Sequence, residues 1–206
     1  MQQQPLIHIP HGIYSVVSNC NNAEFLFDAD EKFELYLAHL LACKKKLGFE
    51  MYDISCMSNH VHELYRVPEK VTIADILHRV KGHFARKFNR CFGRKDHFWR
   101  NKPFYRIVEN EEYGFHVMTY SHWNAVRAGM VNHPAEWPYS GYRFHILGER
   151  KGIMGELLTP IPGIDPTEAL LKGSPSLARE IELILKNTKL RYIGSPAYID
   201  KMTKKK

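Results

Sequence analysis

Apolar positions recur along this chain with two different periods, and the changes of period mark its elements. From Gly12 to Ser18 (GIYSVVS) β-branched and aromatic residues predict a strand. Between Asp30 and Leu47 the apolar residues Phe33, Leu35, Tyr36, Leu37, Leu40 and Leu41 fall at helical spacing, and Gly48 stands where a left-handed cap would end that helix. Phe49 to Met57 and His60 to Val67 are strand-like runs, with Ser58 and Asn59 as hairpin residues between them. Thr72 with Asp75 forms a capping start for a second helix, whose stripe of Ile73, Ile76, Leu77, Val80, Phe84 and Phe88 runs on to Gly93. After a loop holding Trp99 and Pro103, Phe104 to Val108 predicts a short strand, and Glu111 to Ala128 a third helix closed by Gly129.

The first six of these elements have the order of a split βαβ, ferredoxin-like unit. The expected fold is therefore α+β, with a four-stranded antiparallel sheet and both crossover helices on one face. The third helix then covers the open face. Residues 8–150 form the expected main domain and residues 151–206 a C-terminal extension. The extension contains the Pro- and Gly-rich TPIPGIDP (Thr159 to Pro166), continues in a predicted helix from Ser176 to Asn187, and packs on the domain or touches the ligand.

Composition narrows the partners. Of 206 residues, 29 are Lys or Arg and 22 Asp or Glu, a formal charge of +7 that favours polyanions, nucleic acid first among them. The terminal Lys204, Lys205 and Lys206 contribute to that excess. Cys20, Cys43, Cys56 and Cys91 are widely spaced, without a C-x-x-C pair, and read as free thiols of a reducing compartment. No apolar run reaches the length of a membrane span, so a cytoplasmic protein without a membrane partner is expected. A G-x-x-x-x-G-K phosphate loop is missing, which argues against a nucleotide cofactor.

The chemistry is carried by two short patterns. His60 and His62, two apart on a strand, point to one face, and Tyr120 and Asn124, four apart on a helix, share a face as well. Taken alone, the histidines read as hydrogen-bonded imidazoles on a half-buried strand, and Tyr120 as a tyrosine packed on the sheet. If the third strand and the last helix converge, the four make a divalent-metal site beside a tyrosine nucleophile. The second helix and the loop after it add Arg79, Lys81, Arg86, Lys87, Arg90, Arg94, Lys95 and Arg100, interleaved with Phe84, Phe88, Phe98 and Trp99. That mixture suits phosphate contacts with base stacking, or else a solvated basic face over core aromatics. Arg127 is placed to approach a phosphate or to neutralise the end of its helix. His122 lies on a different helix face from Tyr120 and reads as a packing or DNA-contact residue.

The blocks GIYSVVS, MSNHVH, KGHFARKFNR, Trp99-Arg100, YSHWNAVRAGMV and WPYSGYRF together resemble the single-tyrosine HUH transposases, in particular the REP-associated tyrosine transposase branch, over about Gly12 to Phe144. The resemblance implies that His60, His62 and Asn124 hold a divalent ion, Mg²⁺ or Mn²⁺, with Val61 as the hydrophobic residue between the histidines. It implies further that Tyr120 cuts single-stranded DNA near a hairpin and becomes joined to the 5′ phosphate, leaving a 3′ hydroxyl that can later rejoin the strand without ATP. The chain departs from the family pattern at Glu63, where a hydrophobic residue is common, and at Ala125, where proline is. Glu63 alternates to the opposite side of its strand from the histidines. Two other classes compete: a catalytically silent, domesticated hairpin-binding regulator, and a metal-dependent phosphodiesterase that uses water. Monomer and homodimer are both open, with Tyr120 acting in its own subunit or in its partner's.

Overall fold

The structure, a computed structural model, describes residues 7–100, 103–167, 179, 182–185 and 190–204. Strand β1 (Ile13–Asn19) leads into helix α1 (Asp30–Leu47), which Gly48 ends in the left-handed conformation at φ 70°. Strands β2 (Glu50–Cys56) and β3 (His60–Arg66) form the expected hairpin. Helix α2 (Ile73–Leu77) is opened by the Thr72–Asp75 capping box and passes through a π-helical stretch, His78–His83, into α3 (Phe84–Cys91). Then come β4 (Phe104–Val108), α4 (Glu111–His122) and α5 (Asn124–Arg127), followed by the short helices α6 (Tyr142–His145) and α7 (Gly152–Leu157). Strand β5 (Tyr192–Ile193) and helix α8 (Pro196–Lys204) end the described chain.

The sheet order is β2-β3-β1-β4-β5. Its first four strands are antiparallel neighbours, as the ferredoxin-like order requires. The expectation of four strands needs correction: β5, from the segment assigned to the extension, joins the β4 edge in parallel. A two-residue strand on an otherwise open edge satisfies backbone groups that β4 would leave unpaired, so its short length is no obstacle. Leu157 and Leu158 belong to the main core, and Lys44 donates to the carbonyl of Leu157 at 2.7 Å, so α7 and the residue after it pack into the same core as the first strands. The helix expected at Ser176 to Asn187 falls largely outside the described residues.

Alternation along the strands sorts the core into two layers. Tyr14 and Val16 of β1, Val61 and Tyr65 of β3, and Tyr105 and Ile107 of β4 pack against Tyr36, Leu37 and Leu40 of α1 and against Ile76, Val80 and Phe84 of the second helical run. On the other face Ile13, Leu64 and Val108 meet Phe115, Val117 and Met118 of α4. Gly114 lets α4 lie close, because a Cβ there would stand 3.6 Å from Leu64.

Two departures from regular helix matter for the site. The π-helical stretch brings Lys81, expected on a DNA-contacting surface, into the core between the helices and β3. Its ammonium lies 2.6 Å from the Glu63 carboxylate and donates to the Tyr36 hydroxyl at 2.6 Å, and that hydroxyl donates to Glu63. Burial lowers the Lys81 pKa against the opposing pull of Glu63, and burial raises that of Tyr36. Lys81 is thus a structural cation, and an ammonium so enclosed has no route to a phosphate. The second departure breaks the single helix expected from Glu111 to Ala128. It stops at His122, Trp123 adopts φ −83°, ψ 1°, and α5 restarts at Asn124. The physical reason is Asp53, which holds the consecutive side chains of Ser121 and His122 and draws the end of α4 onto β2.

Removing one member of the buried pair leaves an unpaired charge in the core, which costs about 3–5 kcal/mol. Lys81→Met and Glu63→Leu should each lower the urea midpoint by that order, while the double substitution should lower it by less than the sum of the two. Additive losses would show that the pair does not interact.

Candidate functional site

Strand β3 gives the site its floor. His60 and His62 alternate with Val61 and Glu63, and so point to the side of Leu64 that α4 covers. Their ring centroids lie 5.0 Å apart. His60 Nδ1 sits 2.7 Å from Asn59 Oδ1; an amide oxygen can only accept, so the proton belongs on Nδ1 and the Nε2 lone pair is left outward. Burial lowers the His60 pKa. Burial, the neighbouring His60, and the cations Arg127 and Arg106 push that of His62 down to about 3. Both rings are therefore neutral near pH 7, the state in which imidazole ligates a metal.

Helix α4 forms the roof, and its end is fixed by a buried polar cluster. Asp53 accepts from Ser121 Oγ at 2.6 Å and lies 2.9 Å from His122 Nε2, while His145 Nε2 meets the Tyr52 carbonyl at 2.7 Å and Asp53 at 4.0 Å. A bulge between Met51 and Asp53 sets Asp53 opposite Leu64, on the α4 side of the sheet. Gly141 allows the close approach: a Cβ there would stand 2.1 Å from Asp53 Oδ1. His122, expected as a packing or DNA-contact residue, is a packing residue. Tyr120, directly before this anchor, is half-buried on α4.

Arg127 ties the tyrosine to Asn124. Its guanidinium carbon stands 4.0 Å from the Tyr120 ring centroid, and Nη2 donates to the Tyr120 carbonyl at 2.5 Å and to Asn124 Oδ1. Arg106, which the sequence reading did not single out, joins this group from β4. It is buried and points to the same face as the histidines, since its neighbour Ser15 on β1 pairs on the other side with Leu64. Burial lowers its pKa to about 10, with Tyr120 acting against that shift. The available signal was an arginine inside the apolar strand FYRIV; for Asp53 it was an acid inside EMYDISC.

The structure thus brings Tyr120 and Asn124 to one guanidinium, that of Arg127, and the charges of Arg127 and Arg106 both act on His62. Among the described residues no three His, Cys, Asp or Glu side chains gather as a metal-binding group. Two imidazoles with an amide oxygen would suit a hard or borderline cation with open positions and would not make a closed structural zinc site.

The basic residues expected to contact DNA divide by position. Arg86, Arg90, Lys95 and Arg100 are exposed, and Arg79 and Lys87 are partly so. Arg86 and Lys95 line a groove with Gly82, Ala85, Asn89, Asp96, His97 and Phe98. Arg94 is committed within the chain, holding Glu24 through two hydrogen bonds of 2.8 Å. Lys81 is buried, as described above.

With this geometry in view, the comparisons with known proteins are decisive for the family. The transposase family described as IS200-like matches residues 10–120, more than half of the chain and ending on Tyr120 itself. The chain belongs to the IS200-like transposase family. A search of the curated proteins finds no match. Among solved structures, a REP-associated tyrosine transposase bound to a REP hairpin matches with a TM-score of 0.61 and 18% identity, over 81% of this chain and 96% of that one. It shares the fold. A candidate transposase from Deinococcus radiodurans R1 matches at 17% identity and a TM-score of 0.42, over 63% of this chain and 92% of that one. No helix of this transposase, among the described residues, is long and apolar enough to cross a membrane.

The polar cluster beneath α4 has a pH consequence. Burial foremost lowers the His145 pKa to about 4, whereas the unfolded ring titrates near 6.5. The unfolded chain therefore takes up a proton between pH 6.5 and 4 that the folded chain excludes, so stability falls as pH falls through that window, by up to about 3 kcal/mol. Urea midpoints measured from pH 7.5 to 4.5 should show this slope, and His145→Gln should flatten it. An unchanged slope would remove His145 from the account.

Proposed function

We propose that this transposase cleaves and rejoins single-stranded DNA beside a hairpin, with Tyr120 as the nucleophile and a divalent metal, Mg²⁺ or Mn²⁺, held by His60, His62 and Asn124. The observation that carries the reading is that α4 packs across the same chain's His60/His62 face, with Tyr120 beside the exposed Arg127 and near the buried Arg106. On this reading Tyr120 serves the histidines of its own subunit.

A phenol hydroxyl attacks a phosphodiester well only when the phosphate is polarised and the approach is fixed. The bound cation supplies Lewis-acid polarisation of the phosphate. The chain supplies the rest. His60 and His62 offer neutral donors, so they do not cancel the charge that the phosphate meets. The Asp53 anchor fixes where α4 ends and so where the phenol stands, and Arg106 and Arg127 add positive charge around the attacked phosphate. The Tyr120 oxygen forms a bond to phosphorus, the 3′ oxygen leaves with a proton, and the phenol proton passes to solvent. The 5′-phosphotyrosine retains the bond energy needed for a 3′ hydroxyl to rejoin DNA without a nucleotide, which accords with the missing phosphate loop.

Hairpin DNA is proposed as the substrate because a protein of the same fold is described bound to a REP hairpin, and because the exposed Arg86, Arg90, Lys95 and Arg100 lie on one helix and the loop after it. These four should behave as phosphate contacts. Each substitution by Gln should reduce the slope of log K against log salt by about 0.7–0.9. Arg94→Gln should leave the slope unchanged, because its charge is already paired within the chain.

The chemistry is tested with a labelled hairpin and Mn²⁺. The wild-type protein should form a covalent protein–DNA adduct that Tyr120→Phe abolishes and His60→Ala reduces by at least about 100-fold. Cleavage that persists in Tyr120→Phe without an adduct would indicate a water-using phosphodiesterase. Binding without any cleavage by the wild type would indicate a silent hairpin-binding regulator.

A further inference from the structure

We propose that Arg127 and the divalent cation are alternative partners of the Asn124 carbonyl oxygen, so that this arginine sets how tightly the site takes up metal. The inference rests on reading His60, His62 and Asn124 as the metal ligands.

Asn124 stands at the start of α5 and Arg127 at its end, three residues on, which brings the two side chains to one face of a single turn. One guanidinium nitrogen, Nη2, donates both to Asn124 Oδ1 and to the Tyr120 carbonyl, while the guanidinium plane covers the Tyr120 ring at 4.0 Å. The amide nitrogen of Asn124 is buried without a partner. The carboxamide is therefore held by its oxygen alone, and an arginine, which only donates, fixes that oxygen toward itself.

An amide oxygen is also the only atom of this side chain that a hard cation accepts. A guanidinium and a dication on one oxygen would be like charges a few ångströms apart in a partly desolvated site, where screening is weak. Metal uptake must therefore displace Arg127 from Asn124. The displacement is feasible because Arg127 is exposed and its chain can swing outward. The same movement uncovers the Tyr120 ring, so taking up the ion and freeing the nucleophile become one event. Arg127 acts here as a positioning residue: it governs the amide and the phenol from outside the ligand set.

The test is Mn²⁺ binding to the full chain without DNA, followed by the electron paramagnetic resonance signal of free Mn²⁺. Arg127→Met should bind Mn²⁺ about five-fold more tightly or better, the size of an ordinary coupling between sites, with Arg127→Lys in between. In an Asn124→Ala background the gain from Arg127→Met should vanish, because the shared oxygen is gone. Equal or weaker binding by Arg127→Met would overturn the inference. So would a gain that persists without Asn124, since it would then reflect charge repulsion through space and no competition for the amide. His60→Ala separates this failure from failure of the metal reading itself. If His60→Ala abolishes Mn²⁺ binding while Arg127→Met leaves it unaltered, only the role of Arg127 is lost. If His60→Ala has no effect, the ion does not bind at the histidines and both claims fall.

Discussion

The ion pair between Lys81 and Glu63 lies under the strand that carries the two histidines, and the site above depends on it. Side chains of β3 alternate between the two layers, so a slip of one residue would turn His60 and His62 toward α1 and the second helical run and carry Glu63 to the face that α4 covers. Glu63 is compensated only where Lys81 and the Tyr36 hydroxyl await it. In any other register a carboxylate would be buried without partners, a far larger penalty than misplacing an alkyl side chain. The ion pair thus acts as a register lock, and the histidines face α4 because their neighbour has one place to go.

A second polar cluster answers it on the opposite side of the sheet. Asp53 reaches the α4 side through a bulge, captures Ser121 and His122, and is crowded by Gly141 from the segment beyond the helix. Side chains held from two directions keep discrete positions, which catalysis by alignment requires. The floor of the site is fixed by Lys81 and Glu63, the roof by Asp53, and Tyr120 and Asn124 occupy the step between α4 and α5.

Periodicity carried much of this. The two-residue period of β3 and the helical stripe of Glu111 onward were enough to bring His60, His62 and Tyr120 to one face, and the order of elements gave the sheet its first four strands. What escaped were features that depend on partners distant in the chain. Lys81 looks like one more cation on a basic helix, because nothing local announces the π-helical stretch or the carboxylate that receives it. Glu63 was placed on the correct side of β3 by alternation, yet its partner lay eighteen residues away across a tertiary contact. The stop at His122 followed from Asp53, again a contact between distant segments. Strand β5 is two residues long, too short for any periodic signal. Arg106 was visible as a charge inside an apolar strand, and such a residue calls for a partner or a role.

The central claim is that one face of β3 and the end of α4 form a single metal-dependent site for cutting DNA. A crystal structure with a hairpin oligonucleotide and Mn²⁺, phased to reveal the manganese by its anomalous scattering, tests it most directly. The account predicts one manganese between His60 and His62, with the Tyr120 hydroxyl the nearest protein oxygen to the phosphorus at the cut. Manganese bound away from both imidazoles, or a phosphate seated where the Tyr120 hydroxyl does not reach it, would contradict the account.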